Sequence, residues 1–387
     1  MQPIAWVLIC NPENRRQSFF TEALGKQQGR PPVIISYLEL LQAVNPTECL
    51  KEKLKPIRHC QIKVKIESPG ENFEVTKALI VLGAGEYSKR LDPDSAKQLR
   101  YDKGRFKYLK EWYLGYRHLL SEIDKVLNFL AKANGSVFRY LNTPTTILNM
   151  LDKYQCQKLL TEKGVATPKL IPVAEDFTEL FDQLREAKQY SVFIKPKYGS
   201  SAAGVIALRV KPDGSQCIAR TSLELSEEVG IRQCYNSLNV RTYSKKKDIA
   251  ELYSAVLAEG AYAEQWIPKP QLKGRNFDLR IVVINGKATH HVTRCSKTPM
   301  TNLHLGNQRG DVLHHESGER MLRNAYYCAE KAASMLSGAE CLGADVILSS
   351  SSAQAHIIEL NAFGDLLPGI HYQTLNTYET QIQLPLC

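Results

Sequence analysis

The chain has few of the features that mark a secreted, membrane-spanning or disulfide-stapled protein. No apolar run approaches the ~18 residues that a membrane helix needs. Residues 1–10 hold a short apolar run without a charged leader or small-residue cleavage site, which reads as a first strand and not a signal peptide. The ten cysteines, at 10, 49, 60, 156, 217, 234, 295, 328, 341 and 387, are widely spaced and form no C-x-x-C pair. They imply mostly buried thiols in a reducing cytoplasm. The pairs His290-His291 and His314-His315 have neither i, i+4 spacing nor helical context and read as non-ligands for zinc. No Ser-His-Asp or Cys-His set stands out, and no internal repeat is present.

What is there is an ordinary globular composition of 387 residues, enough for two or three domains, with a formal net charge of +10. That sign favours acidic ligands: nucleotide phosphates, acidic peptides or nucleic acid. The basic residues are scattered, which speaks against a polynucleotide.

Residues 6–10, 18–27 and 32–37 read as strand, helix and strand, the start of an open α/β sheet. Ser68-Pro-Gly-Glu71 reads as the capping box of a following helix that stops at Gly83. Gly83-Ala-Gly85 follows a helix and lacks a third glycine, so it is no dinucleotide loop. Residues 101–120, rich in Tyr, Trp, Lys and Arg, read as an amphipathic helix with snorkelling cations. Further on, Asp152-Lys-Tyr-Gln155 opens a helix ending at Gly164, and residues 191–210 form a hairpin. Residues 245–259 are helical, 261–267 a strand and 319–337 a helix. Two long strands over 277–294 turn at Asn285-Gly286, the strongest short hairpin signal in the chain.

Four segments carry chemistry. Residues 191–204 give a strand, then Lys195, Lys197 and the small-residue loop Gly199-Ser-Ser-Ala-Ala-Gly204. This is neither a P-loop nor a Rossmann turn, because G-K-[ST] is missing and no helix follows. Such a loop between antiparallel strands can close over phosphates, with Lys195 beneath it, or be a plain surface turn. Ala263-Glu-Gln-Trp-Ile267 offers a strand edge to an adenine, with Glu264 as acceptor. Asp278-Leu-Arg280 and Arg294 face each other across the hairpin; two arginines there repel unless an anion lies between them or each pairs with a local acid. Finally, Gly343-Ala-Asp345 and His356-Ile-Ile-Glu359-Leu-Asn361 read as two strands joined by residues 349–354. This hairpin would bring Asp345 level with Glu359 and Asn361, three oxygen donors suited to Mg²⁺.

Read in order, Asp152-Lys153, Phe193-Ile-Lys195 with its loop, Glu264-Gln-Trp-Ile267, Asp278-Leu-Arg280, Arg294, Asn302, Asp345 and Glu359-Leu-Asn361 resemble the ATP-grasp superfamily over roughly residues 143–370. The carboxylate–amine ligase branch that adds glutamate looks closest. The N-terminal half, with Ser68-Pro-Gly-Glu71 and Trp112-Tyr-Leu-Gly-Tyr116, resembles a less characterised bacterial subgroup. The resemblance implies an α/β (α+β) fold: an open α/β pre-ATP-grasp domain over 1–142, a small lobe with lid and hinge over 143–267, and a large lobe with the metal site over 268–387. It implies that Lys153 and Lys195 hold the phosphates of ATP under a lid formed by Gly199, Ser200, Ser201 and Gly204. Glu264 and the Ile267 backbone would hold adenine. Asp345, Glu359 and Asn361 would bind Mg²⁺ or Mn²⁺, Arg280 and Arg294 would stabilise the transferring phosphoryl group, and Asn302 would support metal or phosphate. One departure is that Pro268-Lys-Pro-Gln-Leu-Lys273 lacks the acid that many relatives use for ribose.

The implied reaction is phosphoryl transfer from ATP to a carboxylate, followed by attack of an amine on the acyl-phosphate, with small-molecule or peptide substrates and no membrane partner. A kinase on the same fold and a non-catalytic nucleotide or nucleic-acid binder are the other readings, and self-association into a homo-oligomer stays open. The acceptor pocket is expected between residues 11–16, 68–71 and 363–369.

Overall fold

The computed structural model describes residues 4–383 apart from 56, 58–60, 86–87 and 229–230. Cys60 and Cys387 lie outside the described residues, as do the first three residues of the apolar run over 1–10.

The first sheet is parallel, in the order Val33–Ser36, Ile4–Cys10, Gln61–Ile66, Val137–Tyr140. Parallel strands are covered on both faces, and the sequence IAWVLIC meets that demand with its last five residues buried. Two helices of this region, Phe73–Gly83 and Leu109–Asn134, cross at glycines. A Cβ on Gly83 would lie 1.9 Å from the Glu111 carbonyl oxygen, and one on Gly115 would lie 1.9 Å from that of Leu79. Only glycine permits so close a backbone approach.

Two expectations here need correction. Ser68 does not cap the helix. Asn72 does, its side chain accepting from the Val75 amide at 3.0 Å. Glu71 takes a left-handed φ of 67° and so cannot be the N3 residue of a helix. Residues 101–108 are not helical either: the helix begins at Leu109, after Tyr108 at φ 67°.

The second sheet is six-stranded, in the order Leu170–Ile171, Ala261–Gln265, Ser191–Pro196, Ile206–Val210, Cys217–Glu228, Ile231–Tyr243. Its last two strands form a long hairpin that the sequence pattern did not announce. The third sheet runs Gln308–Gly310, Lys287–Ser296, Arg275–Ile284, Cys341–Leu348, Ala355–Asn361, with Gln271–Leu272 pairing onto Arg275–Ile284. Its central hairpin turns where expected, with Asn285 and Gly286 both at positive φ, 49° and 71°, as a type I′ turn requires.

The first and third sheets share one hydrophobic core, in which Val7, Leu79 and Tyr116 belong with Phe277, Ala325 and Leu342. The second sheet has its own core, built around Leu180, Ile194, Leu208 and Tyr253. A cavity lies between these two bodies. No helix among the described residues is long and apolar enough to cross a membrane.

Candidate functional site

The strand Ser191–Pro196 carries Lys195 on the face where its antiparallel neighbour Ala261–Gln265 presents Tyr262 and Glu264. The Lys195 ammonium forms an ion pair with the buried Glu264 carboxylate. Burial pushes the Glu264 carboxyl up, against the pull of Lys195. Lys153 opens the helix Lys153–Glu162, whose N-cap Asp152 accepts from the Gln155 amide at 3.0 Å. Its ammonium donates to the Gly199 carbonyl at 2.6 Å and lies 3.3 Å from Glu359 Oε1. Lys153, and not Lys195, is therefore the cation that touches the small-residue loop.

Across the cleft, the hairpin register places Asp345 directly opposite Glu359, as the sequence reading required, with Gly343 opposite Asn361. The Asn361 amide nitrogen donates to the Gly343 carbonyl at 3.2 Å, which leaves its oxygen for another partner. Asp345 lies 2.6 Å from Arg280 Nε and 3.2 Å from Arg294 Nη1. Arg294 also donates to Asp278 Oδ1 at 2.8 Å. The anion expected between the two arginines is thus already supplied by the chain, from Asp345 and Asp278. Burial pushes the Asp345 carboxyl up despite both arginines. It also opposes the Glu359 charge, but Lys153, Arg280 and Lys195 together hold that carboxyl below its usual range.

These side chains line a cavity of about 60 Å³. Of the residues expected at the site, Lys153, Lys195, Gly199, Ser200, Glu264, Arg294, Asn302, Asp345 and Glu359 line it. Arg280 reaches it through Asp345. Ser201, Gly204 and Asn361 do not line it, and Ile267 lines a separate open cleft with Gln265, Pro268 and the serine turn. Glu264 and Ile267 therefore do not converge on one pocket. Gly204 is covered by Phe106, whose ring a Cβ there would meet at 2.5 Å, and Tyr113 stacks on Tyr198 at 4.2 Å. N-terminal residues thus press on the loop from outside.

Lys269 and Thr301 were missed. Both line the cavity, and Lys269 donates to Asp278 Oδ2 at 3.0 Å and to Thr301 Oγ1 at 2.8 Å. A lysine fixed between two prolines just past a strand is the only signal the sequence held for it. On the acceptor side, Arg16 donates to the Phe363 carbonyl at 3.1 Å and lies 3.6 Å from Glu67, while Asn11 donates to the Gly70 carbonyl at 2.9 Å. Residues 11–16, 68–71 and 363–369 therefore meet. Arg16 is occupied there, and Arg15 is exposed.

The donor set fits a hard cation. Asp345 is buried with its Oδ1 between Arg280 and Arg294, Glu359 stands opposite, and Asn361 follows two residues on along the same strand. Carboxylate and amide oxygens are the ligands that Mg²⁺ takes. Among the described residues, no group of three or more His, Cys, Asp or Glu forms a metal cluster. The candidate set has two carboxylates only.

A family model described as YheC/D like ATP-grasp matches residues 142–362. Among solved structures, D-cycloserine synthetase DcsG is similar over 98% of each chain at 11% identity, with a TM-score of 0.52. The ATP-grasp ligase PsnB, complexed with a phosphomimetic variant of its minimal precursor, Mg and ADP, is 14% identical over 94% of this chain and 89% of its own, TM-score 0.43. D-alanine–D-alanine ligase from Bacillus anthracis, complexed with ATP, is 11% identical over 94% and 87%, TM-score 0.44. No curated protein matches the sequence.

Proposed function

The chain belongs to the YheC/D-like ATP-grasp family, and from that membership we propose that it is an ATP-dependent, ADP-forming ligase joining a carboxylate to an amine. Residues 1–142 are read as the pre-ATP-grasp domain, 143–267 as the small lobe and 268–387 as the large lobe. The observation that carries the proposal is the ring of cations Lys153, Lys195, Arg280 and Arg294 around the facing carboxylates Asp345 and Glu359.

Each of these cations rests on a carboxylate. Phosphate groups of ATP would take their place: Lys153 would turn from Glu359, and Arg280 and Arg294 from Asp345. The carboxylates so released, with the Asn361 oxygen, would hold Mg²⁺, which when bound neutralises charge on the phosphoryl oxygens. Lys195 and Lys153 then position the triphosphate, while Arg280 and Arg294 stabilise charge that develops on the transferring group. With little covalent chemistry asked of the protein, positioning and electrostatics carry the rate.

The cavity is far below the ~300–1,000 Å³ of small-molecule sites, and a nucleotide would enter by movement of the 199–204 loop or of the two lobes. Their separate hydrophobic cores support such motion.

The acceptor would enter where Arg16 meets Phe363, and its carboxylate would be activated as an acyl-phosphate before the amine attacks. Amino acids or short peptides suit this reading. The free thiols among the described residues and the proposed need for ATP favour a cytoplasmic setting. The test is ADP release by the purified protein with paired amino acids and peptides, followed by mass spectrometry. Free phosphate plus an amide product supports the ligase. ADP without free phosphate, and phosphate retained on an alcohol product, would make it a kinase.

A further inference from the structure

Five charged side chains form one buried chain in the large lobe. Lys269 lies 3.0 Å from Asp278, Asp278 lies 2.8 Å from Arg294, Arg294 lies 3.2 Å from Asp345, and Asp345 lies 2.6 Å from Arg280. Three cations stand against two carboxylates. Asp365 approaches Arg280 only to 3.9 Å and is a third exposed.

Without Lys269 the chain would already balance, two arginines against two aspartates. Burying a further ammonium, its side chain 7% exposed, carries a desolvation penalty that Asp278, already held by Arg294 and the Thr301 hydroxyl, does not need relieved. Lys269 lines the same cavity as Lys195 and Glu359. An ammonium has three N–H donors, and two of those of Lys269 go to Asp278 and Thr301.

The backbone makes the placement deliberate. Lys269 stands between Pro268 and Pro270, whose fixed φ angles leave the segment few conformations. The two prolines are tied down on either side, Pro268 accepting from the Ser350 amide at 3.2 Å and Pro270 from the Phe277 amide at 3.0 Å.

Resting on the ATP reading above, we propose that Lys269 is a further nucleotide-binding residue, a cation supplied from the segment that follows the hinge strand, which donates its third N–H to a phosphate of the nucleoside triphosphate between Lys195 and Arg294. Both of those cations are close enough to Lys269 to disfavour its charge, and burial disfavours it more strongly, so its pKa is lowered. A phosphate anion beside it relieves all three effects. The segment that lacks the ribose acid thus still contributes to nucleotide binding, through its lysine.

The experiment compares wild type, Lys269→Met and Lys269→Arg by calorimetric titration with ATP and with adenosine. The expected result is a loss of at least tenfold in ATP affinity for Lys269→Met, unchanged adenosine affinity, and partial recovery in Lys269→Arg. ATP affinity within twofold of wild type overturns the proposal, as does an equal loss for ATP and adenosine, which is the mark of a merely structural lysine. If Lys269→Met does not fold, the unaltered protein is treated with a biotinylated acyl-phosphate of ATP and its labelled lysines are mapped by mass spectrometry. Label on Lys269 that excess ATP suppresses supports the proposal. Label on Lys153 or Lys195 with none on Lys269 overturns it. A wild-type protein that binds no ATP at all would instead sink the ligase reading itself, and this inference with it.

Discussion

Asp345 stands directly opposite Glu359 across an antiparallel strand pair, and the ion pairs they make differ although Arg280 acts on both. Arg280 and Arg294 hold the first and Lys153 holds the second. Two acids so placed would repel each other in a buried site. The cations remove that repulsion in the free protein, and the proposed nucleotide and metal would remove it in the complex.

Lys153 touches both the loop carbonyl of Gly199 and the Glu359 carboxylate. Lys153→Met should therefore raise the KM for ATP by ~10-fold or more, since charge-assisted contacts to phosphate are among the stronger hydrogen bonds. It should change the melting temperature little, because Glu359 is a quarter exposed and water can replace the ammonium. Steady-state ADP formation against ATP concentration checks the first part, and a thermal melt the second.

The close crossing of the helices at Gly83 and Gly115 leaves no room for a methyl group. Gly83→Ala or Gly115→Ala should destabilise the protein by about 1–3 kcal/mol or more, the usual penalty for overpacking. Urea unfolding would show it. A midpoint equal to wild type would mean the helices part at no cost.

Burial opposes the Asp278 charge, but Arg294 and Lys269 hold its carboxyl far below the usual range. A depressed folded pKa gives stability that is present above the unfolded value near ~3.9 and is lost as pH falls towards the folded one. The stability advantage of wild type over Asp278→Asn should accordingly be full above about pH 5 and shrink steadily below about pH 4. At neutral pH it should be about 3–5 kcal/mol, as for other buried pairs deprived of one partner. Denaturant melts of both proteins across the pH range measure it.

Arg90 bridges two buried carboxylates, Glu111 of the N-terminal region and Glu259 of the second sheet's body. Arg90→Met leaves both without their shared cation and should cost on the order of 3 kcal/mol. Its double-mutant cycle with Glu259→Gln should show coupling, because the loss is the uncompensated charge and not the side chain's bulk.

Much of the site could be read from spacing alone. Period-two alternation placed Glu359 and Asn361 on one face, and the Asn285-Gly286 turn set where the central hairpin reverses, whereas the pairing of Asp278 with Arg294 depends on a bulge between Val282 and Val283 that shifts the register by one residue. The first two are short-range rules, and they held; the bulge was not legible. The misses came from long-range packing. Lys269 matters because a loop and a strand nine residues apart fold together, and Phe106 covers Gly204 from about a hundred residues away in the chain. The partner of Lys195 was also hidden: strand order puts Glu264 beside it, so the residue read as an adenine contact is the lysine's counter-ion. The Ser68 cap failed for a local reason, since Asn72 is an equally good N-cap and lies next to the helix.

The exchange of carboxylates for phosphates is tested most directly by titrating ATP into the protein with and without Mg²⁺, in wild type and in Glu359→Gln. The account requires ATP to bind wild type more tightly when Mg²⁺ is present, by ~10-fold or more for a coupling of about 1.4 kcal/mol, and requires most of that enhancement to vanish in Glu359→Gln. Equal enhancement in both proteins, or ATP binding to wild type that ignores Mg²⁺, would contradict it.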